Sequence, residues 1–403
     1  MKVVQINTVC GYGSTGRIAV DLHEILKNKG YESYIAYGRD NTYKGINTIK
    51  ISNKLDNYTH AIVTRVLDRH GLGSRYLTKK FIKTLKELDP DIIHLHNIHG
   101  YYINYKILFK YIKESKKPVI WTLHDCWSFT GHCANFEYID CKKWESGCER
   151  CPQKKKYPKS IVVDNSASNY FLKKRMFTSV DNMIIVTPSK WLANLVEQSF
   201  LNKYPIKIIN NGIDLNIFTP TESNWRVENK IENKFIILGV ASIWEETKGF
   251  NHFIQLAKEI SEDEIIVLVG VSEEQKKMLP GNIIGITRTN DIFELAKIYT
   301  AADVFVNPTM EDNFPTVNLE ALACGTPVIT FNTGGSVESI NENCGMIANR
   351  HTDTLMKKIR EIKEKNITPE ECLKRANQFN KDERYNDYIK IYEQVKGGEI
   401  WRM

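Results

Sequence analysis

Two periodicities take turns along this chain, and their alternation constrains the fold more than any other feature. In the first half, short Ile/Val-rich runs ("KVVQIN", "ESYIAYG", "DIIHLHN", "PVIWTLH", "MIIVTPS") are separated by stretches such as "TGRIAVDLHEILKNKG" and "NYKILFKYIKESKK". In the first of these stretches Ile18, Leu22, Ile25 and Leu26 recur at helical spacing before Lys29-Gly30 closes the segment. Strand and helix in strict alternation imply a parallel sheet covered by helices on both faces. The second half repeats the pattern with "KFIILGVAS", "EIIVLVG", "NIIGITR", "DVFVNPT" and "PVITFNT" as strands. Its helices are "GFNHFIQLAKEIS", "IFELAKIYTAA" and "NLEALACG". The stretch "YPIKIINNGIDLNIFTP", punctuated by Pro, Asn and Gly, reads as the junction. The expected architecture is α/β, with two Rossmann-like domains, residues 1–205 and 206–383, facing across a cleft. Residues 384–403, helical in pattern with no strand after them, are expected to pack back on the first domain. Ligands of such sheets sit outside the carboxyl ends of the strands, so the chemistry is expected there.

A length of 403 residues exceeds one ordinary core and fits two domains. Charged residues at 26% and hydrophobic ones at 42% exclude a disordered chain. No apolar run approaches the roughly 20 residues that span a bilayer, and "MKVVQINTVCGYG" has no leader-like apolar stretch. A cytosolic location is expected. Nine cysteines, an odd number, argue against a disulfide framework. The net charge of +7 is concentrated in two stretches of the first half, from Arg65 to Lys86 and from Lys154 to Arg175, the latter including Lys173. These read either as a solvated basic face or as a surface for anionic lipid headgroups or a phosphorylated substrate.

In "EDNFPTVNLEALACGTPVI", residues 311–329, Asp312 and Glu320 bracket a loop-to-helix junction behind a strand. Unpaired N–H groups at a helix start favour an anion such as phosphate. A carboxylate there would repel phosphate unless it faced an uncharged part of the same ligand, and sugar hydroxyls are such a part. The pattern therefore suggests a nucleotide-sugar. The alternative is that Glu320 only complements the helix dipole.

"PTMEDNFPTVNLEALACGTPVI" resembles the hallmark of glycosyltransferase family 4, and "GYGSTGRI", "HLHNIHG", "TLHDCWSFTG", "NNGID" and "KGF" follow the order expected of that family. The resemblance implies a GT-B fold and transfer of a hexose from a nucleotide-sugar, UDP by family frequency, with retention of anomeric configuration. It implies that Glu320 holds the ribose hydroxyls and that Asp312, or Glu311 beside it, contacts the transferred sugar. Asp312 departs from the family's usual Glu. Amides around Asn313, Phe314, Thr316 and Val317 would face the phosphates, with Pro315 standing where a Gly is common. Lys248 matches the phosphate-binding lysine of the family, or is a solvated loop lysine. Ala241 and Ser242 stand where an Arg is expected, and Arg288 offers a substitute from the neighbouring strand end.

On the first-domain side, Gly13 and Gly16 would let the backbone approach a phosphate or sugar at a helix start, with Arg17 an anion contact. His124, followed by Asp125, closes a strand and looks like the family's sugar-contacting histidine. His94 and His96 share one sheet face and suit packing or support.

The insert spanning residues 126–151 carries Cys133, Cys141 and the pair Cys148-x-x-Cys151, which could close a tetrahedral zinc site in a loop with little core of its own. Free thiols are the alternative. Some polysaccharide-building members of the family carry a similar insert. No cofactor is expected for catalysis itself. The reading that emerges is a peripheral enzyme on the inner face of the membrane, drawn to an anionic surface and acting on a lipid-linked saccharide acceptor. Nucleic acid is not expected as a partner. A GT-B hydrolase or epimerase of nucleotide-sugars is the alternative within enzymes. Outside them, a zinc-containing nucleic-acid-binding protein would use the basic stretches, yet it gives no reason for two βα domains.

Overall fold

The computed structural model describes residues 1–39 and 45–398. Two compact units emerge, one formed by Met1–Asn210 with Arg384–Met403 and the other by Asn211–Glu383.

The first unit is built from β1 (Lys2–Asn7), α1 (Gly13–Asn28), β2 (Glu32–Tyr37), β3 (Thr48–Lys50), α2 (Lys54–Leu67), α3 (Arg75–Leu88), β4 (Ile92–Leu95), α4 (Tyr105–Ser115), β5 (Val119–Thr122), α5 (Ser166–Phe177), β6 (Met183–Thr187), α6 (Lys190–Gln198) and β7 (Ile206–Ile208). Its seven strands run in the order β3-β2-β1-β4-β5-β6-β7, every pairing parallel. Strands buried on both faces must be apolar on both, and successive residues serve opposite sides. Ile93 and Leu95 of β4 enter the core under α4, while Ile92 between the strands' other neighbours enters the opposite core with Val3, Leu22 and Tyr392. Truncating a fully buried side chain such as Ile93 to Ala would cost about 2–5 kcal/mol.

The second unit contains α7 (Trp225–Glu228), β8 (Phe235–Val240), α8 (Phe250–Leu256), β9 (Glu264–Val269), α9 (Glu273–Lys277), β10 (Ile283–Ile286), α10 (Ile292–Ala301), β11 (Val304–Asn307), α11 (Thr316–Ala323), β12 (Val328–Phe331), β13 (Gly345–Ala348), α12 (Thr352–Glu364) and α13 (Pro369–Asn377). The order β10-β9-β8-β11-β12-β13 is again all parallel. The last helix, α14 (Lys381–Lys396), starts at the end of this unit and from Arg384 onward belongs to the first. Tyr385, Tyr388, Ile389, Ile391, Tyr392 and Val395 are buried against β1, β4, β5 and β6 of that unit. Residues 399–403 of the expected C-terminal helix lie outside the described residues.

Three strands escape the sequence patterns: β3, β7 and β13. β7 corrects the expected boundary after residue 205, because Ile206–Ile208 pairs with Ile185–Thr187 of β6 and so completes the first sheet. The unit therefore runs to Asn210. The basic stretch beginning at Arg65 forms the end of α2 and all of α3, with Arg65, Arg75, Lys79, Lys80, Lys83 and Lys86 exposed. Lys173 departs from this pattern. It is buried, and its ammonium donates to the carbonyls of Trp127 (2.7 Å) and Thr130 (3.1 Å). Burial draws its pKa down to about 7.

Candidate active site

In each sheet the strand order reverses once beside the first strand, between β1 and β4 and between β8 and β11. Crossover helices leave on opposite faces there, which opens a crevice at the carboxyl edge. The candidate residues of the glycine loop follow β1, and Ser242, Lys248 and the residues from Glu311 to Glu320 follow β8 and β11, whereas His124 follows β5 and Arg288 follows β10.

In the second unit, the chain leaving β8 passes Ser242 and turns at Glu246–Lys248 before α8. Gly249 has φ +80°, and a Cβ on it would lie 2.3 Å from the Pro308 carbonyl oxygen, so only glycine lets this turn touch the loop after β11. The Met310 amide donates to the Thr247 carbonyl (2.8 Å) and locks the contact. Lys248 Nζ is thereby placed 2.7 Å from Asp312 Oδ2. Both side chains keep some solvent, so the pair adds at most about 1 kcal/mol of stability. Its importance is positional: it sets a cation beside the start of α11. That helix begins at Thr316 with no side-chain cap, Pro315 occupying the cap position, so first-turn N–H groups remain for an anion.

Glu320 lies in the second turn of α11, buried, with its Oε2 accepting from the Tyr299 hydroxyl (3.0 Å). The helix dipole acts over the first turn, where α11 carries no acid, so dipole compensation does not explain Glu320. Asn313 and Phe314 are buried, Phe314 standing edge-on to Phe379. Glu311 is held through its backbone, its carbonyl accepting from Thr309 Oγ1 (3.0 Å).

A polar cluster that sequence reasoning missed braces this loop from behind. Asn307 donates to Asn318 Oδ1 (2.8 Å), Asn318 donates to Ser339 Oγ (2.8 Å), and Thr330 meets Ser336 (2.6 Å). The Gly335 amide donates to the Asp312 carbonyl (3.1 Å). Polar residues ending β11 and β12 were the available signal. Arg288 needs a correction. It follows β10, the edge strand, and β9 intervenes between β10 and β8, so it does not come from a strand neighbouring Ser242, and its side chain is exposed.

In the first unit, the loop after β1 is closed by the Gly11 amide donating to the Gly16 carbonyl (3.1 Å). Gly13 has φ +60°, and a Cβ on Gly16 would lie 3.1 Å from Gly11 N. The Asn7 side chain donates to the Val9 and Thr15 carbonyls (3.0 and 3.1 Å) and fixes the loop from below. Arg17 is exposed on the first turns of α1.

His124 follows β5 and its ring stacks on that of His96, 5.3 Å between centroids. The proton positions follow from the neighbours. A backbone carbonyl can only accept, so the Gln5 amide nitrogen faces Ala19 O (2.9 Å) and its Oε1 faces His96 Nε2 (3.0 Å). His96 Nε2 therefore carries the proton, and its Nδ1 accepts from His124 Nε2–H (3.1 Å). That leaves the His124 lone pair on Nδ1. Burial, opposed by the Asp125 charge, lowers the His124 pKa to about 4, so the ring is neutral near pH 7. Behind it, His94 bonds Tyr392 (2.6 Å) and Thr122 (2.8 Å). Asp125 accepts from His99 Nε2 (2.7 Å) and from the Trp127 amide (2.9 Å). Burial disfavours its charge, but His99 and these bonds outweigh that and hold the carboxyl below its usual range.

The insert after Asp125 has more core than its composition suggests. Phe129, Phe136 and Trp144 are buried together, with ring centroids 5.1 and 5.3 Å apart across Trp144. Cys133 and Cys151 hydrogen-bond to each other, which raises the Cys133 pKa and lowers that of Cys151. The Gly131 amide donates to Cys148 Sγ (3.1 Å), while Cys141 packs on the hydrophobic core. Among the described residues no group of three or more His, Cys, Asp or Glu side chains is arranged to hold a metal ion. The expected four-cysteine set is thus not assembled: two thiols are paired with one another, and aromatic packing with Lys173 holds the loop.

Comparison with known proteins agrees with this layout. Residues 15–217 match Glycosyltransferase Family 4, and residues 221–379 match Glycosyl transferases group 1. WcaC of Escherichia coli (strain K12), described as a colanic acid biosynthesis glycosyl transferase, is 25% identical over 374 residues, 86% of each chain. The UDP-Gal:alpha-D-GlcNAc-diphosphoundecaprenol alpha-1,3-galactosyltransferase of Escherichia coli is 28% identical over 159 residues, 35% of this chain and 40% of its own. The fold is shared with Anabaena Alr3699/HepE, solved in complex with UDP, at a TM-score of 0.69 and 16% identity over 98% of this chain and 100% of that one. With its two parallel-sheet units and these two family matches covering most of its length, the chain belongs to glycosyltransferase family 4 and is a GT-B glycosyltransferase.

Proposed function

We propose that the enzyme transfers a hexose from a UDP-sugar to a lipid-linked saccharide during cell-surface polysaccharide synthesis, with retention of configuration and without a metal cofactor. The observation that carries the donor half is the placement of Lys248 against Asp312 at the uncapped start of α11. In this reading the α11 amides and Lys248 take the diphosphate, Glu320, oriented by Tyr299, takes the ribose hydroxyls, and Asp312 faces the hexose. The named donors and acceptors of the relatives support UDP and a diphosphate-linked acceptor.

For the reaction itself, the acceptor oxygen bonds to the anomeric carbon as the carbon–oxygen bond to the diphosphate breaks on the same face. The acceptor's proton passes to the departing phosphate oxygen, so no carboxylate nucleophile is required. Lys248 and the helix amides stabilise the charge that develops on the leaving group. His124, neutral near pH 7, contacts a sugar hydroxyl held at the first unit.

The membrane clause rests on α2. Leu55, Tyr58, Ile62 and Val66 recur at helical spacing and are exposed, Leu55 at 73%. The Ile161 amide bonds the Arg65 carbonyl, bringing exposed Ile161 and Val162 alongside. Lys54, Arg65 and Arg69 border this apolar strip, a combination suited to the interface of an anionic bilayer. No described helix is long and apolar enough to cross a membrane. Equal pelleting with phosphatidylcholine and with phosphatidylglycerol vesicles would remove this clause.

Thermal unfolding with UDP, GDP and ADP, alone and as sugar conjugates, tests the donor site. A ligand at about 100 times its dissociation constant adds roughly 2.7 kcal/mol. Stabilisation by the uridine set is expected, and it should be lost in Glu320→Gln, which keeps an acceptor for Tyr299. Turnover of donor at full rate without acceptor would replace transfer by hydrolysis. An inverted product anomer in the NMR spectrum would overturn retention.

A further inference from the structure

A second site is built entirely within the first unit. A cavity of about 700 Å³ is lined by Tyr12, Gly38, Arg39, Lys50 and Tyr101 on one side. Each stands at or beyond the carboxyl end of a parallel strand: Tyr12 after β1, Gly38 and Arg39 after β2, Lys50 at the end of β3, Tyr101 after β4. Lys54, Asn57, Tyr58, Ala61 and Arg65 form the opposing wall. Their spacing of three or four residues puts them on a single face of α2. The wall is tied to the sheet edge by the Asn57 amide donating to the Gly38 carbonyl (3.3 Å).

The chemistry of the lining is one-sided. Four cations, Arg39, Lys50, Lys54 and Arg65, surround the cavity, and among the described residues no carboxylate lines it. Burial raises the Tyr101 pKa, and the Arg65 and Arg39 charges both act against that rise. Arginine forks match paired phosphate oxygens. Tyr12 and Tyr58, 52% and 64% exposed, offer ring faces at the rim. The volume falls in the range of small-molecule sites. Immediately round α2 from this face lies the apolar strip of Leu55, Ile62 and Val66.

We infer that this cavity binds the diphosphate group of the sugar acceptor, with Arg39 and Arg65 gripping its oxygens and Lys50 and Lys54 completing the charge. The assignment rests on the reading of the first unit as the acceptor-binding half. The same diphosphate chemistry could arrive on a prenyl lipid, whose chain would run along the apolar strip, or on a soluble sugar diphosphate.

The test titrates the native protein with inorganic pyrophosphate and with farnesyl diphosphate, comparing it with the double variant Arg39→Ala/Arg65→Ala and with Lys248→Ala. Both arginines are exposed, and an unchanged shift in unfolding temperature on adding UDP certifies that the double variant is folded. Affinity for the diphosphate probes is expected to fall at least tenfold in the double variant and to persist in Lys248→Ala. Tighter binding of the farnesyl probe would assign a lipid source, and equal binding a soluble one; either supports the site. Unchanged affinity in the double variant, or a loss confined to Lys248→Ala, would overturn it. Failure of the native protein to respond to UDP would instead sink the UDP-donor reading and leave the diphosphate result standing.

Discussion

The two units share a parallel sheet and a single strand-order reversal, yet they fill their polar interiors with different chemistry. Eight of the ten histidines (His23, His60, His70, His94, His96, His99, His124 and His132) belong to the first unit, and only His252 and His351 to the second. Behind the loop that carries Asp312 the second unit uses amides and hydroxyls: Asn307, Asn318, Thr330, Ser336 and Ser339. Both sets satisfy buried hydrogen bonds, but amides and hydroxyls take up no proton in mild acid, whereas a buried imidazole takes one up when acid opens the fold. One architecture has thus been given one half dense in buried imidazoles and another in which burial lowers the pKa of His252 alone among the histidines.

The largest test of that contrast is acid. Burial lowers the pKa of His23, His60 and His124 to about 4 and that of His94 to about 3, against 6.5 in the unfolded chain. Between those values the unfolded state binds more protons. The stability contributed by each neutral ring is therefore complete above pH 6.5 and is lost as pH falls toward 4, by up to about 1.4 kcal/mol per pH unit per ring. Hydrogen exchange read by mass spectrometry should show the first unit opening well before the second. Simultaneous opening would break the comparison.

Next in size is Lys248→Ala, expected to lower kcat/KM about a hundredfold by removing a cation from the leaving group, with no change in the acid stability of the first unit. Steady-state kinetics alongside the exchange experiment checks both halves. The glycine turns after β1 and β8 give a smaller contrast. Gly249→Ala would press a Cβ onto the Pro308 carbonyl at positive φ and should destabilise by about 1–3 kcal/mol. Gly16→Ala meets its nearest atoms at 3.1 Å and should cost less than about 1 kcal/mol, both read by chemical denaturation.

The smallest effect sharpens the comparison most. His96→Leu removes the acceptor for His124 Nε2–H, and activity should fall about fivefold to tenfold. His96→Asn restores an acceptor near the old Nδ1 position and should recover most of it. Imidazole nitrogen NMR shifts report the tautomer directly. A His124 proton found on Nδ1 in the native protein would refute the assignment, whatever the activity.

Much of this was legible in the sequence because sheet and helix periods are local signals. The glycine loop and the loops carrying Lys248 and Asp312 follow strand ends that the Ile/Val runs mark, and Glu320 lies on the helix after one of them. β3 and β7 were missed because three residues carry too little pattern, and β7 therefore displaced the unit boundary. Lys173 was read as a surface charge because nothing local announces that Trp127 and Thr130 will enclose it. The cysteines show the same limit: Cys148-x-x-Cys151 spacing is visible in one dimension, whereas the thiol–thiol pairing and the Phe129, Phe136 and Trp144 core depend on contacts made in three. The cavity beside α2 left no linear trace, since its lining is collected from four strand ends and one helix face.

α14 gives the chain a particular order of assembly. The first sheet is translated before residue 210, but the helix that covers Val3, Ile92, Ile120 and Ile184 is not made until the whole second unit has emerged. On the ribosome the second unit has all its own contacts available first, while the earlier-made sheet waits with one apolar face uncovered. Closing that face joins residues nearly 400 positions apart, a contact of high sequence separation and correspondingly slow formation. A nascent chain stopped short of Tyr388 would therefore present a finished second unit attached to an unsealed first one, a form that chaperones and proteases recognise by its exposed apolar surface.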